Sequence, residues 1–271
     1  MAAQTIIVEK HNSVGIIRLN HPEKRNAMSL VLVDEVVQAL QDFDRDVEIN
    51  AIVILSTHPK VFCAGRDLDE GSTRDATDIT RQRALSELPP RLFLAIRTVK
   101  KIVIAGVNGF ALAGGMGLAA WCDLVVAAEN AVFGLPEINV GLFPSVVLPA
   151  LGFNTASAKK CLEMILTGER ITAAEAEKLG LINVVVPSDK LEQATLELAH
   201  KIAAKSPATL QVAKKTFYNM LNMEPVQATK YGVEVTSLLA VSHDGMEGQR
   251  AFLGKREPRW QQLDGKWYTG D

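Results

Sequence analysis

The sequence predicts an α/β fold with a helical C-terminal extension, on three observations. Over the first two-thirds of the chain, short β-branched runs alternate with stretches whose apolar residues recur at helical spacing. From Leu191 onward the candidate elements are helical only. With 271 residues, 48% of them hydrophobic, the chain can bury about 70–75% of its unfolded surface and needs no disulfide or metal to hold a core.

Thr5–Val8 and Val14–Leu19 are β-rich and flank His11-Asn12-Ser13, which predicts a hairpin. Leu30–Phe43 has helical periodicity, with Ser29 as its N-cap. Ala51–Leu55 reads as a strand, followed by a loop over Ser56–Asp67 and a polar, mobile stretch over Glu70–Asp78. Arg81–Thr98 is helical, with Pro89-Pro90 set to break or kink it. The run from Ile102 to Cys122 carries no charge and is long enough to consider as a membrane span. Its glycines, Gly106, Gly109, Gly114, Gly115 and Gly117, each cost about 1 kcal/mol of helix propensity, so a buried strand, turn and short helix is predicted instead. Leu124–Ala128 is a strand. Ala156–Leu166 and Thr172–Leu179 are helices, the second with Thr172 and Glu175 placed as a capping box, and Ile182–Val186 is a strand. Leu191–Ala204, Pro207–Leu221, Val226–Val241 and Met246–Leu253 complete the helical part. The expected division is a core over residues 1–195 and a helical oligomerisation region over 196–271.

Lys+Arg 29 against Asp+Glu 31 leaves a net charge of −2, which argues against broad nucleic-acid binding and against a polybasic membrane anchor. Cys63, Cys122 and Cys161 form no CxxC pair, and the first residues lack the basic and apolar regions of a secretory signal. A reducing, cytoplasmic setting is expected. His11, His21, His58, His200 and His243 lack ligand spacing, so no metal is expected.

Three segments concentrate the chemistry: Val61–Leu68 (VFCAGRDL), Asn108–Leu118 (NGFALAGGMGL) and Phe133–Gly141 (FGLPEINVG). Gly115-x-Gly117-x-x-Ala120 imitates a dinucleotide fingerprint, but only Leu118–Cys122 separates it from the next strand, too little for a crossover helix. No GxxxxGK[ST] or GxSxG occurs. Small residues after a strand let backbone approach a ligand closely, and a helix start offers free N–H groups to an oxygen on which charge develops. Cys63 has no evident histidine partner and reads as a buried small residue, and Asp123 as a cap or buried hydrogen-bonding group.

In this order and spacing, the three segments resemble the crotonase (enoyl-CoA hydratase/isomerase) family. Further agreement lies in Pro22-Glu23-Lys24-Arg25-Asn26-Ala27-Met28, in Leu166–Ala173 (LTGERITA) with Glu175-Ala176 and Gly180-Leu181-Ile182, and in Phe252–Arg256 (FLGKR), so the resemblance spans nearly the whole chain. It implies a crotonase-like core of repeated ββα units, a helical trimerisation region, a homotrimer or homohexamer, and an acyl-CoA thioester as substrate with no separate cofactor. It puts the oxyanion hole on the N–H groups of Ala64 and Gly114. It further implies that Ala64, Gly65, Arg66 and Asp67 line the pantetheine and adenine end. Lys24, Arg25 and Lys255 would face the nucleotide phosphates, and Phe252 would pack on the ligand, from a neighbouring subunit in the assembled form. Gly117, Leu135 and Ser145 would border the acyl pocket.

Glu137, framed by Phe133, Leu135, Ile138 and Val140, is the candidate proton carrier: partial desolvation raises a carboxyl pKa towards a useful value. It matches the second glutamate of the family's hydratases. Their first lies three residues after the oxyanion-hole glycine, and here that position is Gly117. A single carboxylate suits the transfer of one proton between two carbons, as in Δ3-to-Δ2 enoyl-CoA isomerisation. Hydration remains open if water enters beside Gly117, as do decarboxylation, thioester hydrolysis and a non-catalytic acyl-CoA-binding role.

Overall fold

The computed structural model describes residues 4–67, 79–154 and 157–260. Its core is a series of ββα units. The first comprises β1 (Ile6–His11), β2 (Val14–Leu19) and α1 (Leu30–Arg45); the second β3 (Ala51–Ser56), β4 (Val61–Cys63), α2 (Ile79–Ser86) and α3 (Leu88–Thr98). The third comprises β5 (Ile102–Val107), β6 (Phe110–Leu112) and α4 (Gly114–Trp121). Then follow β7 (Leu124–Ala128), β8 (Val132–Gly134), a 3-10 turn (Pro136–Val140), α5 (Leu148–Asn154) and α6 (Ala158–Thr167). The chain continues with β9 (Arg170–Thr172), α7 (Ala173–Lys178), β10 (Val184–Val186) and α8 (Leu191–Ala203). Helices α9 (Pro207–Met220), α10 (Pro225–Ala240) and α11 (His243–Leu253) end the described chain.

From the second unit on, the two strands of each unit go to different sheets. The large sheet runs β1-β2-β3-β5-β7-β10 and the small one β4-β6-β8-β9. All pairings are parallel except β1 with β2 and β8 with β9. Side chains alternate across the large sheet. Ile17, Leu19, Ile52, Ile54, Val103 and Ala105 face the main core under α1, α3 and α4. Val14, Ile16, Val53, Leu55, Ile104 and Val126 face α8, which answers with Leu191, Ala199 and Ala203. The expected division after residue 195 therefore cuts through a helix that belongs to the core, and the separate helical region begins with α9.

Local signals explain most boundaries. The Ser29 hydroxyl accepts the Leu32 N–H at the start of α1, and Thr172 with Glu175 forms the predicted capping box. The prolines break the predicted helix, as expected. Pro89 and Pro90 lie in the first turn of α3, where a missing N–H costs nothing, so the predicted single helix divides before them into α2 and α3. The stretch Glu70–Asp78 lies outside the described residues.

Candidate active site

The small sheet assembles the site. Cys63 pairs with Ala111, and Leu112 with Gly134, so β4, β6 and β8 end side by side. Their continuations, Ala64–Asp67, Ala113–Gly114 and Leu135–Glu137, leave from the same edge, the C-terminal ends of parallel strands where α/β sheets hold ligands.

Backbones approach closely here. A methyl group on Gly65 (φ +97°) would lie 2.8 Å from the Ala113 Cβ and 3.1 Å from the Gly114 nitrogen. One on Gly115 would lie 2.0 Å from the Cys63 carbonyl oxygen. Ala113 itself holds φ 52°, ψ −127° at the N-cap of α4, a backbone region that favours glycine, and its N–H donates to the Gly134 carbonyl at 2.8 Å. Asn26 fixes the opposite wall: its amide reaches the Ser56 hydroxyl and the Phe62 carbonyl, and its Oδ1 accepts the His21 N–H.

These contacts decide which N–H groups are free. Ala64, expected as an oxyanion donor, gives its N–H to the Arg25 carbonyl at 3.1 Å. The Gly65 N–H lies against the Cys63 sulfur. Met28 donates to the Gly65 carbonyl and accepts from Asp67, a pairing that leaves the intervening Arg66 N–H pointing away. No described residue accepts the N–H of Arg66 or of Gly114, and a methyl on Gly114 would lie 3.8 Å from the Arg66 nitrogen. The free pair is thus Arg66 and Gly114: Gly114 is the residue expected, and Arg66 lies two positions beyond the expected Ala64. Two such converging donors can hold an oxyanion.

Glu137 occupies the first turn of the 3-10 segment, three residues beyond Gly134. It is half-buried, and its Oε2 is buried without a hydrogen-bond partner. Burial pushes its carboxyl above the ordinary glutamate value, only partly offset by its own backbone N–H. A carboxylate so placed can accept and return a proton.

Gly117 does not leave the space expected for water. It lies three residues beyond Gly114 on α4, and a Cβ there would meet Phe93 Cζ at 2.7 Å and Val147 Cγ2 at 2.9 Å. Phe93 and Val147 are buried, so an aromatic edge and a methyl group fill the region that a side chain at 117 would enter. Leu135, expected to border the acyl pocket, is fully buried in the core; Ser145 is exposed, and Val147, two residues on, lies against Gly117 instead.

The polar candidates separate. Lys24 lies 3.7 Å from the buried Asp67 carboxylate, so it is engaged within the chain. Arg25 lines a cavity of about 370 Å³ together with His58, Lys60 and Arg170, over Val61, Ala64 and Leu112. Phe252 is 83% exposed on α11, which packs on α9 and α10, so within one chain neither it nor Lys255 joins the Arg25 cluster. Cys63 is buried, its thiol pushed up to about 12 by desolvation and directed to the Asn26 carbonyl, which fits its reading as a packing residue. Asp123 accepts the Val103 N–H and holds Lys214, the buried hydrogen-bonding role expected. Among the described residues no group of three His, Cys, Asp or Glu could hold a metal, and no helix is long and apolar enough to cross a membrane.

Sequence reasoning set Arg66 at the coenzyme A end rather than among the oxyanion donors, and it missed Phe93, Val147, His58, Lys60 and Arg170. Gly65 was the available signal for the first, since a left-handed glycine reverses which successive N–H groups face a neighbour. The others reach the site from distant segments and carry no local signal.

Known proteins match this arrangement along its length. The family model described as enoyl-CoA hydratase/isomerase covers residues 9–263. The 2,3-dehydroadipyl-CoA hydratase of Escherichia coli (strain K12) is 36% identical over 258 residues, 93% of this chain and 97% of that one. A probable mitochondrial enoyl-CoA hydratase of Dictyostelium discoideum is 34% identical over 256 residues, 94% and 90% of the two chains. An enoyl-CoA hydratase structure from Mycobacterium smegmatis agrees with TM-score 0.88 at 33% identity, over 94% of this chain and 98% of that one. The human enoyl coenzyme A hydratase domain-containing protein 3 agrees with TM-score 0.89 at 33% identity, over 94% and 100%. Sequence and fold agree along nearly the whole chain: this chain is an enzyme of the enoyl-CoA hydratase/isomerase family.

Proposed function

We propose that the protein isomerises a Δ3-enoyl-CoA to the conjugated Δ2-enoyl-CoA, with Glu137 carrying the proton. The observation that carries this reading is one desolvated carboxylate, Glu137, whose Oε2 has no hydrogen-bond partner, together with Phe93 and Val147 filling the space at Gly117 where a second carboxylate would have to stand. Glu137 takes a proton from C2, breaking that C–H bond, and the electron pair spreads onto the thioester oxygen. The N–H groups of Arg66 and Gly114 hold the charge there; losing one such donor typically costs about 2.7–4 kcal/mol of barrier. The protonated Glu137 then delivers the same proton to C4, and the double bond moves from C3–C4 to C2–C3. No water is consumed, which suits an apolar wall.

The cavity edged by Arg25, His58, Lys60 and Arg170 offers positive charge for the phosphates of coenzyme A. Phe252 and Lys255 fit the same end of the ligand only from a neighbouring copy, in a homotrimer or homohexamer. The names of the relatives favour hydration as the second reading, and it requires a water held against the wall of Phe93.

Incubation with a Δ3-enoyl-CoA and, separately, a Δ2-enoyl-CoA in oxygen-18 water separates the two. Growth of conjugated-thioester absorbance from the first, with no heavy oxygen in the product, is the expected result. A labelled 3-hydroxyacyl-CoA from the second substrate, at a comparable rate, would make the protein a hydratase. Tight binding with turnover of neither would favour a non-catalytic acyl-CoA-binding role.

A further inference from the structure

The wall beside Gly117 belongs to a longer stack. Phe93 lies against Gly117 and is stacked on Trp121, centroids 5.9 Å apart and planes within 11°. The two pairs, Gly117 with Trp121 and Phe93 with Arg97, are each four residues apart, so they lie one above the other along α4 and α3. The Arg97 guanidinium covers Trp121 at 5.1 Å and Tyr218 of α9 at 3.3 Å from the ring centroid. Tyr218 donates to Asp123 at 2.8 Å, and Lys214 holds the other Asp123 oxygen at 2.7 Å. The Trp121 Nε1 and Arg97 Nη1 are buried without hydrogen-bond partners. Ring faces cover both side chains in the stack, and no hydrogen bond at these two atoms fixes their orientation.

An acyl group whose carbonyl oxygen sits at the Gly114 N–H starts about 4.5 Å, three residues along α4, from Gly117. The ring of Phe93 stands on that same helix face and stops the chain from running along it towards Trp121. We propose that Phe93 is the specificity-determining side chain of the acyl pocket, and that Arg97, acting through Trp121, is the positioning residue that keeps its ring over Gly117. The assignment rests on the acyl-CoA reading above but not on which reaction follows. It makes the pocket floor an aromatic ring that is braced from α9, a helix whose buried residues are only Pro207 and Lys214. The placement of the C-terminal helices and the depth of the acyl pocket are then coupled through one guanidinium.

The test uses two independent readouts on the full chain. The first is kcat/KM across a series of enoyl-CoA chain lengths for the wild type, Phe93→Ala, Phe93→Leu and Arg97→Met. The second is the dissociation constants of saturated acyl-CoAs of the same lengths, which need no turnover. Phe93→Ala should raise the long-to-short ratio in both, by about fourfold for each methylene newly accommodated. Phe93→Leu should do so less, and Arg97→Met should move the ratio in the same direction by roughly threefold without touching the substrate. A role in stability alone would lower every chain length equally. An unchanged binding ratio in the folded Phe93 variants overturns the proposal, with Phe93→Leu serving if the alanine variant does not fold. A shifted binding ratio without turnover of any enoyl-CoA supports the wall while rejecting the isomerase reading.

Discussion

The small-sheet edge and the C-terminal helices hold themselves together by opposite means. Around the site, main chain meets main chain: Gly65 faces Ala113, Gly115 faces the Cys63 carbonyl, and every residue of α4 except Trp121 is buried. In α10 no residue is buried, and Val226, Val233 and Leu238 are exposed. Helix α9 reaches the core through Lys214, whose ammonium is shared among the Ile96 and Lys101 carbonyls and the Asp123 carboxylate, and through Tyr218. The first region is packed main chain against main chain within one chain and is sensitive to a single added carbon. The second is tied by a few polar side chains and leaves apolar faces available to another surface.

The comparison can be broken at several points. The largest effect is expected from Gly115→Ala, whose new carbon would sit 2.0 Å from a backbone oxygen that cannot rotate away. A loss above about 4 kcal/mol, read as absence of folded soluble protein, is expected. Lys214→Met tests the other half. Removing one partner of a buried ion pair should cost about 3–5 kcal/mol in urea unfolding, with the transition of the helical end separating from that of the core.

Glu137→Gln should lower turnover by about 10²–10⁴ while acyl-CoA affinity stays nearly constant. Its stability should change in the opposite sense. The folded chain holds the Glu137 proton more tightly than the unfolded chain, so the ionised carboxyl is a burden that grows as pH rises through its raised pKa. The glutamine variant should therefore melt higher than wild type at neutral pH and equal to it near about pH 4. In the wild type, the acid limb of kcat/KM should lie above the ordinary glutamate value, and an unshifted limb would remove Glu137 from the role of base. The smallest effect is that of Ala113→Gly, which relieves a left-handed alanine and should add about 1 kcal/mol to the thermal or urea stability.

Much of the fold was legible because its signals are local. Ser29, the Thr172–Glu175 box and the alternation of apolar residues mark elements by chemistry that acts within a few residues. The small sheet was the main omission: β6, β8 and β9 have three residues each, too few for a period to register, and they exist by pairing with one another. Glu137 was singled out by its apolar neighbours, whereas Gly114 came only with the family resemblance. The exchange of Ala64 for Arg66 was signalled only in part, by Gly65, because it also turns on the Arg25 carbonyl, nearly forty positions earlier, claiming the Ala64 N–H. Gly117 illustrates the same limit. A glycine in a sequence suggests room, whereas the structure shows that a ring 24 positions upstream has taken it.

The Cys63 sulfur has a practical consequence. It lies within three residues of the Arg66 nitrogen, yet desolvation pushes its thiol up to about 12, and its burial keeps reagents out. Alkylating agents should therefore leave this sulfur unmodified in the native fold. Its labelling would time the transient opening of the fold, which makes the sulfur a clock for unfolding rather than a probe of chemistry.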